Sequence, residues 1–500
     1  MGKSAVNDVN TAPPKAGRAT AEGTGSLALP VILAGTFMVV LDFFIVNVAI
    51  PAVQSELGAS TAQVQLIVAG YGLAYACGLI TAGRLGDIFG RRRLYVIGLL
   101  LFTAASLVCG IAPDASVLVL ARVAQGIGAA VLSPQVLTIL GVTYTGASRA
   151  RAFTAYGLVL ASASVGGQLI GGALIQADVA GLGWRSCFLI NVPIGAAALL
   201  LTPKLIPESR AEGAGRLDIP GMLLVTLGLV AVVLPLVEGR EAGWPAWTWV
   251  CLVLAVPFLG AFLLHQRRLS ASGGSPLLDP GLFRQRAFTV GLFAVIVFYS
   301  GMASFFLVLA LYLQQGRGLS ALDSGLTFTV MGVGFFVTSV SGRRLGAWLG
   351  RQALALGGVF IAVGQLLLFL TVSRIGVEGN IWLLAPALLL DGAGMGMVMA
   401  PLNSTVLAGI PPRLAGAASG ALTTMMQVGN ALGVALIGII YYGSVDAAPA
   451  SAADGLDAGL VYLAALALVL VVAIQLLPGK PVPAKPSDSC MRTRIRTRTR

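Results

Sequence analysis

The chain has 500 residues, of which 57% are hydrophobic and only 10% are charged, with a mean hydropathy of +0.90. Because soluble domains carry about a quarter charged residues, this composition excludes a soluble globular protein. The formal net charge is +12, and the placement of the basic residues along the chain explains it without nucleic acid.

Residues 1–26 are polar and contain Pro13, Pro14 and several Gly, Ser and Thr, which predicts a disordered cytoplasmic tail. The apolar run that begins at Leu27 is too long for the apolar core of a cleaved signal peptide, so we expect it to be retained as a span. Apolar runs close to the 20 residues needed to cross a bilayer then recur along the chain. Since backbone groups at that depth must be bonded within their own helix, we predict an all-α polytopic fold.

We predict fourteen spans. The seventh and eighth spans have an alternative placement on the membrane surface. The number of spans would then be twelve, and both ends of the chain would still face the same side. The predicted spans are 27–50, 64–83, 94–112, 117–140, 152–175, 185–202, 218–237, 246–264, 287–313, 323–341, 352–372, 381–403, 414–442 and 458–477.

The basic residues predict the orientation of these spans. With the N-terminus in the cytoplasm, 27 of the 32 Lys and Arg residues lie in cytoplasmic segments and 4 in external ones, and Arg122 lies within a span. An excess of Lys and Arg marks cytoplasmic loops. We therefore expect a multi-pass protein of the plasma membrane with both termini in the cytoplasm, where the basic excess faces anionic lipid.

The chain repeats itself once. The segment from Leu85 to Arg91 recurs from Leu345 to Arg351, at an offset of 260, and the Gly167/Gly171 pair recurs 262 residues later. Gly126-x-Gly128 is loosely echoed by Gly394-x-Gly396. These offsets predict two six-helix halves, at 27–202 and 287–477, joined by a 203–286 linker that holds two extra spans. They also predict a basic disordered tail at 478–500 and a site between the halves near the midplane.

Three charged residues lie deep inside apolar spans: Asp42, Arg122 and Asp391. A charge at the bilayer centre costs about 2.5–3.5 kcal/mol, so such residues are usually functional. We expect Asp42 to alternate between a protonated and an ionised form, although it could instead only form hydrogen bonds within the bundle. Arg122 either modulates a neighbouring carboxylate or tethers backbone carbonyls. Asp391 is a candidate for the substrate site or for a second proton site.

Four motifs together resemble the major facilitator superfamily, and within it the fourteen-span drug:proton antiporters, including antibiotic self-resistance exporters of actinobacteria. They are Leu41–Pro51, Gly83–Arg93, Arg122–Ala130 and the Gly183-Trp184-Arg185 opening of the sixth span. The resemblance implies two six-helix bundles plus two linking helices, a proton-coupling role for Arg122, and a charge latch formed by Asp87 and Arg91 that holds the halves in one state.

The fifth span departs from the antiporter pattern because it lacks the proline that precedes the final glycine pair. Gly167, Gly171 and Gly172 remain, and glycines on one helical face allow close helix packing. At the offset of 260, Met302 lies where a partner of Asp42 would be, so we expect the two halves to differ chemically and the energy coupling to reside in the first half.

The expected function is proton-driven efflux of a drug, antibiotic or other amphipathic small molecule by alternating access. The sequence has no nucleotide-binding Walker motif, so the expected driving force is the proton gradient, with no cofactor and no metal. The expected partners are the small molecule, protons and membrane lipid, without nucleic acid. The alternatives are a proton-coupled importer of a small metabolite, an intramembrane enzyme, and a non-transporting membrane sensor. The sequence shows no cluster of His, Cys and acidic residues that would indicate an enzyme.

Overall fold

The computed structural model describes residues 27–210, 217–274, 276–407, 410, 415–445 and 451–477. The two tails predicted at 1–26 and 478–500 lie outside these described residues. Within the described part of the chain, all regular elements are helical, as the sequence predicts.

Fifteen α-helices are present in this part of the chain. In chain order they are α1 (Ala28–Leu57), α2 (Thr61–Phe89), α3 (Arg91–Gly110), α4 (Ala115–Thr143), α5 (Gly146–Ala177), α6 (Ser186–Leu189), α7 (Asn191–Leu205), α8 (Ile219–Glu238), α9 (Ala246–Ala271), α10 (Arg286–Leu311), α11 (Ala321–Leu349), α12 (Arg351–Ile375), α13 (Ala385–Leu407), α14 (Ala415–Ser444) and α15 (Ser451–Gln475). A single π-helical turn, Tyr312–Gly316, extends α10.

These helices give the predicted number of spans. Thirteen are long and apolar enough to cross a membrane, and α5 makes fourteen when its two parts, bent by 46°, are counted as one span. The short α6 and the longer α7 together form the sixth span, Gly183–Leu205. The two spans that the sequence left least certain are the long apolar helices α8 and α9. Most helices extend beyond the predicted bounds because polar residues at their ends continue the helix outside the apolar run.

Local side chains fix several helix ends. Ser60 and Gln63 form a reciprocal capping box at the start of α2, which satisfies backbone N–H groups that have no partner within the helix. At the α2–α3 corner, the Glu208 carboxylate accepts hydrogen bonds from the backbone N–H groups of Arg92 and Arg93, at 3.0 and 3.2 Å. Gly90 turns this corner with φ of +113°, and a side chain there would meet the Glu208 carboxyl group at 2.7 Å.

The helices pack as two similar groups. In the first, α1 packs on α5 and α7, and α4 packs on α2 and α3. In the second, α10 packs on α14 and α15, and α13 packs on α11 and α12. The contacts of α1, α2, α3, α4, α5 and α7 thus correspond to those of α10, α11, α12, α13, α14 and α15, which gives the two six-helix bundles of the major facilitator fold.

The contacts of glycine residues show which residues of α1 and α10 correspond to each other. A Cβ at Gly167 would lie 3.4 Å from the Leu41 carbonyl oxygen, and one at Gly429 would lie 2.8 Å from that of Ile296. The α1–α10 offset is therefore 255, and not the 260 that pairs Asp42 with Met302. Val297, and not Met302, is the counterpart of Asp42. The offset changes from helix to helix because the connecting loops of the two halves differ in length.

The two halves meet through α2 with α14, α5 with α11, and α1 with α10. Several of these contacts lie at one end of the molecule, where α1, α5 and α14 finish; we call this the closed end. There, Gln314 Nε2 donates to the Val48 carbonyl oxygen at 3.1 Å, and Gln315 Nε2 donates to Gln54 Oε1 at 2.8 Å. A Cβ at Gly172 would lie 2.9 Å from backbone atoms of α11.

The two linking helices, α8 and α9, cover one side of the interface between the halves. Helix α8 packs on both α2 and α14, and α9 packs on α8. In the loop after α8, Glu241 accepts hydrogen bonds from the Thr61 hydroxyl at 2.9 Å and the Ala62 backbone N–H at 2.7 Å. The neighbouring Arg240 donates to the Tyr442 carbonyl oxygen of α14. This Arg240–Glu241 clasp joins the first half to the second at the closed end.

Candidate proton-coupling and substrate site

The structure brings Asp42 and Arg122 together inside the first half. They form a fully buried ion pair between α1 and α4. Gln125, one turn along α4 from Arg122, contacts both: its Nε2 donates to Asp42 Oδ1 at 2.8 Å, and its Oε1 accepts from Arg122 Nη1 at 2.7 Å. These three side chains have no solvent exposure, so the charges are compensated by each other and not by water.

Two further polar residues complete this network. Asn191 of α7 donates to Asp42 Oδ1 at 3.2 Å and to Ser106 Oγ at 3.0 Å. Ser106 of α3 also accepts from Gln125 Nε2 at 3.0 Å and donates to the Phe188 carbonyl oxygen at 2.9 Å. Helices α4 and α7 thus bond directly to the Asp42 carboxylate of α1, and α3 is linked to it through Ser106. A change in the charge of this carboxylate therefore acts on a hydrogen-bond network that joins four helices.

Arg122 is held on its other side as well. Its Nε donates to the Ile67 carbonyl oxygen of α2 at 2.9 Å, so the backbone tether considered from the sequence is present alongside the ion pair. The guanidinium carbon lies 4.3 Å from the ring centre of Tyr71, a cation–π contact. Arg122 Nη2 has no hydrogen-bond partner among the described residues. The cation is thus fixed in place, while one of its donors is free to take a new acceptor.

A central cavity lies between the halves. Phe44, Ser164 and Gln168 line it from the first half, and α10, α11 and α13 line it from the second. Its wall from the second half consists of three phenylalanines, four methionines and one glycine: Phe306, Phe328, Phe335, Met302, Met331, Met395, Met399 and Gly332. Among the described residues, none that lines this cavity has a charged side chain, so the cavity is suited to apolar or aromatic ligands.

Aromatic rings of both halves meet at this cavity. The rings of Phe44 and Phe306 lie 5.1 Å apart, edge to face, and those of Phe306 and Phe328 stack at 5.5 Å. Phe44 lies two residues from Asp42 on α1, and the two side chains therefore point to different faces of the helix. Asp42 itself is buried within the first half and does not line the cavity. Phe44 is thus the residue of α1 that lines the cavity.

Asp391 lies apart from this network, in α13 of the second half. It is fully buried, and neither carboxyl oxygen has a hydrogen-bond partner among the described residues. Gly364 of α12 packs against it, because a Cβ at Gly364 would lie 3.0 Å from that of Asp391. The adjacent Gln365 is the polar side chain that interacts with the carboxyl group. Met395, one turn along α13, lines the central cavity.

Asp87 and Arg91 are paired at the α2–α3 corner, with Arg91 Nη2 2.9 Å from Asp87 Oδ1. The Arg91 backbone N–H also donates to the Ser209 carbonyl oxygen at 3.0 Å. These bonds stay within the first half and its connection to the linker. The role of the pair as a latch between the halves remains a prediction.

The three glycines of α5 contact two different helices. A Cβ at Gly167 would lie 2.9 Å from the Phe44 Cβ, and one at Gly171 would lie 2.7 Å from the Ile45 side chain, so both glycines pack on α1. Gly172 instead faces Ala321 and Leu322, at the start of α11. Two of the glycines thus hold α5 within its own half, and the third allows close packing between the halves.

Sequence reasoning did not find the roles of Ser106, Asn191 and Glu208. Ser106 is a small hydroxyl residue in an apolar span, with nothing nearby to mark it. Glu208 lies 116 residues from the Arg92 N–H that it accepts from, in a segment that reads as a charged linker. Among the described residues, no group of three or more His, Cys, Asp and Glu is placed to hold a metal ion.

The extramembrane carboxylates act as structural partners. Burial opposes ionisation of Glu241, but the hydrogen bonds from Ala62 and Thr61 outweigh it and lower the pKa of this carboxyl group. Asp218, just before α8, is similar: burial is outweighed by hydrogen bonds from Gln266 and the Gly221 backbone, and its pKa is lowered. Its carboxylate also lies 2.6 Å from His265 Nε2, which ties α8 to α9.

The sequence profile described as "Major Facilitator Superfamily" matches residues 32–434. The chain is 40% identical to the "Probable actinorhodin transporter" of Streptomyces coelicolor, over 88% of this chain and 76% of that protein. It is 36% identical to the "Puromycin resistance protein pur8" of Streptomyces alboniger, over 94% of this chain and 95% of that protein. The chain is 35% identical to the "Cephamycin export protein CmcT" of Amycolatopsis lactamdurans, over 93% of this chain and 95% of that protein.

Solved structures share the fold at low identity. The crystal structure of an auto-inhibited POT family peptide transporter matches with a TM-score of 0.67 and 16% identity, over 92% of this chain and 99% of that chain. At this identity the likeness concerns the fold alone. The family match covers most of the chain, and the relatives are transporters and not enzymes. The chain therefore belongs to the major facilitator superfamily and is a multi-pass membrane transporter of small molecules.

Proposed function

We propose that this protein exports amphipathic small molecules, such as antibiotics, from the cytoplasm across the plasma membrane in exchange for protons, and that both of its termini are cytoplasmic. The observation that carries the proton coupling is the fully buried Asp42–Arg122 pair, whose hydrogen-bond network joins α1, α3, α4 and α7. The direction of transport is supported by relatives whose names describe antibiotic transport, export or resistance.

Protonation of Asp42 would act through the energy of the ion pair. An ionised Asp42 balances Arg122, whereas a protonated one leaves a buried guanidinium uncompensated. Removing one partner of a buried pair costs about 3–5 kcal/mol, close to the roughly 5.5 kcal/mol that reverses a two-state equilibrium from 1:99 to 99:1. One proton on Asp42 is therefore sufficient to favour a second arrangement of the helices, in which Arg122 finds other acceptors.

Helix α1 connects this change to the substrate. It carries Asp42 on the face towards α4 and Phe44 on the face towards the central cavity. A shift of α1 on protonation moves the cavity wall without direct competition between the proton and the substrate. With the proposed topology, the closed end is external, and this conformation receives substrate from the cytoplasm.

A proton-coupled importer on the same fold is the second candidate, favoured by the loss of the proline before Gly171 and Gly172. The two candidates differ in inside-out vesicles whose lumen is made acidic. An exporter accumulates its substrate in the lumen, whereas an importer that moves protons and substrate together depletes it.

The test begins with drug susceptibility, including puromycin, in an efflux-deficient host expressing the wild type, Asp42→Asn or Asp323→Asn. Asp323 is an exposed carboxylate at the start of α11, so its variant controls for the loss of one acid. We expect resistance with the wild type and the control and none with Asp42→Asn at equal expression. An Asp42→Asn protein that still concentrates a compound in acidified vesicles at the normal rate would contradict the proton-coupling role.

A further inference from the structure

The fifth span carries a glutamine where the antiporter pattern has a proline. Gln168 of α5 follows Gly167 and precedes the Gly171–Gly172 pair, and it lines the central cavity between the halves. Its side chain is buried, with 1% exposure, and neither its amide nitrogen nor its amide oxygen has a hydrogen-bond partner among the described residues. Because an unpaired amide in an apolar interior is unfavourable, this side chain favours a ligand that pairs with it.

Neighbouring helices hold the backbone of Gln168 in place. A Cβ at Gly325 of α11 would lie 2.7 Å from the Gln168 carbonyl oxygen, and one at Gly167 would lie 2.9 Å from the Phe44 Cβ of α1. Helices of both halves therefore pack closely on α5 at this level. Since α5 cannot withdraw here without breaking these contacts, the carboxamide of Gln168 stays at the cavity wall.

Ser164 is the second polar residue of this wall, one turn before Gln168 and on the same face of α5. The Ser164 hydroxyl donates to the Leu160 carbonyl oxygen of its own helix at 2.7 Å, so its hydrogen is already used. The other residues that line the cavity are Phe, Met and Gly. Among the described residues of this wall, Gln168 therefore alone offers a side-chain donor without a partner, and its amide oxygen offers an acceptor beside that donor.

The rest of the cavity wall favours an uncharged aromatic ligand. The stacked rings of Phe306 and Phe328, and the ring of Phe44 that meets Phe306 edge to face, present apolar surfaces. The four methionines adapt to the outline of a ligand. A charged group would lose its hydration here without gaining a counter-ion from the residues that line this wall, which is costly. The apolar wall thus selects the body of the ligand, and Gln168 selects its polar group.

We infer that Gln168 determines specificity for uncharged aromatic compounds that carry an amide or lactam group, in which an N–H and a C=O lie side by side. The ligand N–H donates to Gln168 Oε1, and the ligand C=O accepts from Gln168 Nε2, so both unpaired atoms are satisfied together. A lactone offers only the acceptor and leaves Oε1 unpaired, and a hydrocarbon leaves both atoms unpaired. This assignment rests on the proposed function and adds a substrate class to it.

Three flat probes with the same three-ring skeleton separate these cases. Phenanthridinone is a lactam, dibenzo-α-pyrone is the corresponding lactone, and phenanthrene is the hydrocarbon. Their affinities are measured by calorimetric titration of the full-length protein in detergent, with the wild type and with Gln168→Met. Methionine is unbranched and close to glutamine in length, so the substitution removes the hydrogen bonds and keeps the packing.

The measured quantity is the preference for the lactam over the lactone. The ratio of their affinities should be about 10-fold or more higher in the wild type than in Gln168→Met, since the variant has no amide to pair with the ligand N–H. Comparing this ratio between the two proteins cancels the partition of each probe into detergent. If Gln168 has only a structural role, all three probes bind more weakly to Gln168→Met in equal proportion and the ratio is unchanged, which would overturn the inference.

Gln427→Met is the matched control. Gln427 of α14 accepts from Asn430 Nδ2 at 2.7 Å and is not among the described residues that line the cavity, so this variant should keep the lactam preference. The wild type alone also tests the inference, whether or not Gln168→Met folds. Relative to their partition into protein-free micelles, phenanthridinone should bind more tightly than dibenzo-α-pyrone, and equal values would overturn the inference.

Export is measured separately, with the compounds to which the wild type confers resistance. Export by the wild type, together with an unchanged lactam preference in Gln168→Met, would refute the role of Gln168 and leave the proposed function standing. A lactam preference that is lost in Gln168→Met, without export by the wild type, would refute the proposed function and leave the binding site standing.

Discussion

Gly172 offers a direct test of how the two halves meet at the closed end. In Gly172→Ala, the new Cβ would lie 2.9 Å from the Ala321 carbonyl carbon and from the Leu322 Cα. Both are backbone atoms, which cannot rotate away as a flexible side chain can. To accept the methyl group, α5 and α11 have to move apart, and the conformation closed at this end becomes less stable than its alternatives.

The magnitude follows from the packing. Forcing an additional methyl group into a tight contact costs about 1–3 kcal/mol. The gain in helix propensity from Gly to Ala, up to about 1 kcal/mol, acts on every helical conformation and is removed by a matched control. Gly157→Ala in the same helix is that control, because nothing lies within 4 Å of its added Cβ. Relative to it, Gly172→Ala should lower the ratio of closed to open molecules about 5- to 150-fold.

A cysteine pair at the closed end measures this population. Gln54 and Gln315 are hydrogen-bonded across the two halves at 2.8 Å, and cysteines at these positions, in a background without the native cysteines, report closure by their rate of cross-linking. We expect slower cross-linking in Gly172→Ala than in Gly157→Ala, at equal thermal stability in detergent. Equal cross-linking rates in the two variants would show that α5 and α11 do not have to be this close, and would refute the reasoning.

Two other predictions concern carboxylates outside the bilayer. Because hydrogen bonding lowers the pKa of Glu241, its clasp contributes stability above the ordinary pKa of a glutamate, and this contribution is lost as the pH falls through the lowered value. The same cysteine pair should therefore cross-link more slowly in acid, and Glu241→Gln should remove that part of the pH dependence; an unchanged pH profile would argue against the clasp. Glu208→Ala removes the carboxylate that accepts from the Arg92 and Arg93 N–H groups, and should cost about 1–2 kcal/mol as the loss of a helix cap. We expect Glu208→Ala to unfold at a lower temperature than Asp454→Ala, which removes an exposed carboxylate and serves as the control. Equal unfolding temperatures of the two variants would contradict the capping role of Glu208.

The number of spans and the approximate helix positions follow from the amino-acid sequence alone. Bilayer thickness fixes the length of an apolar run, so these features depend only on neighbouring residues. The same holds for the identity of the buried charges: Asp42, Arg122 and Asp391 stand out because their neighbours are apolar. The short motifs sufficed to identify the family because they are local as well.

Only the tertiary structure decided which of these groups face each other. Asp42 and Arg122 are 80 residues apart, and their helices are too uniformly apolar for the sequence to indicate which face turns inward. The correspondence between the halves was also decided by packing. The offset between α1 and α10 is 255 because it depends on where glycines let two backbones touch. The sequence repeat at 260 paired Asp42 with Met302, whereas the contacts pair Asp42 with Val297.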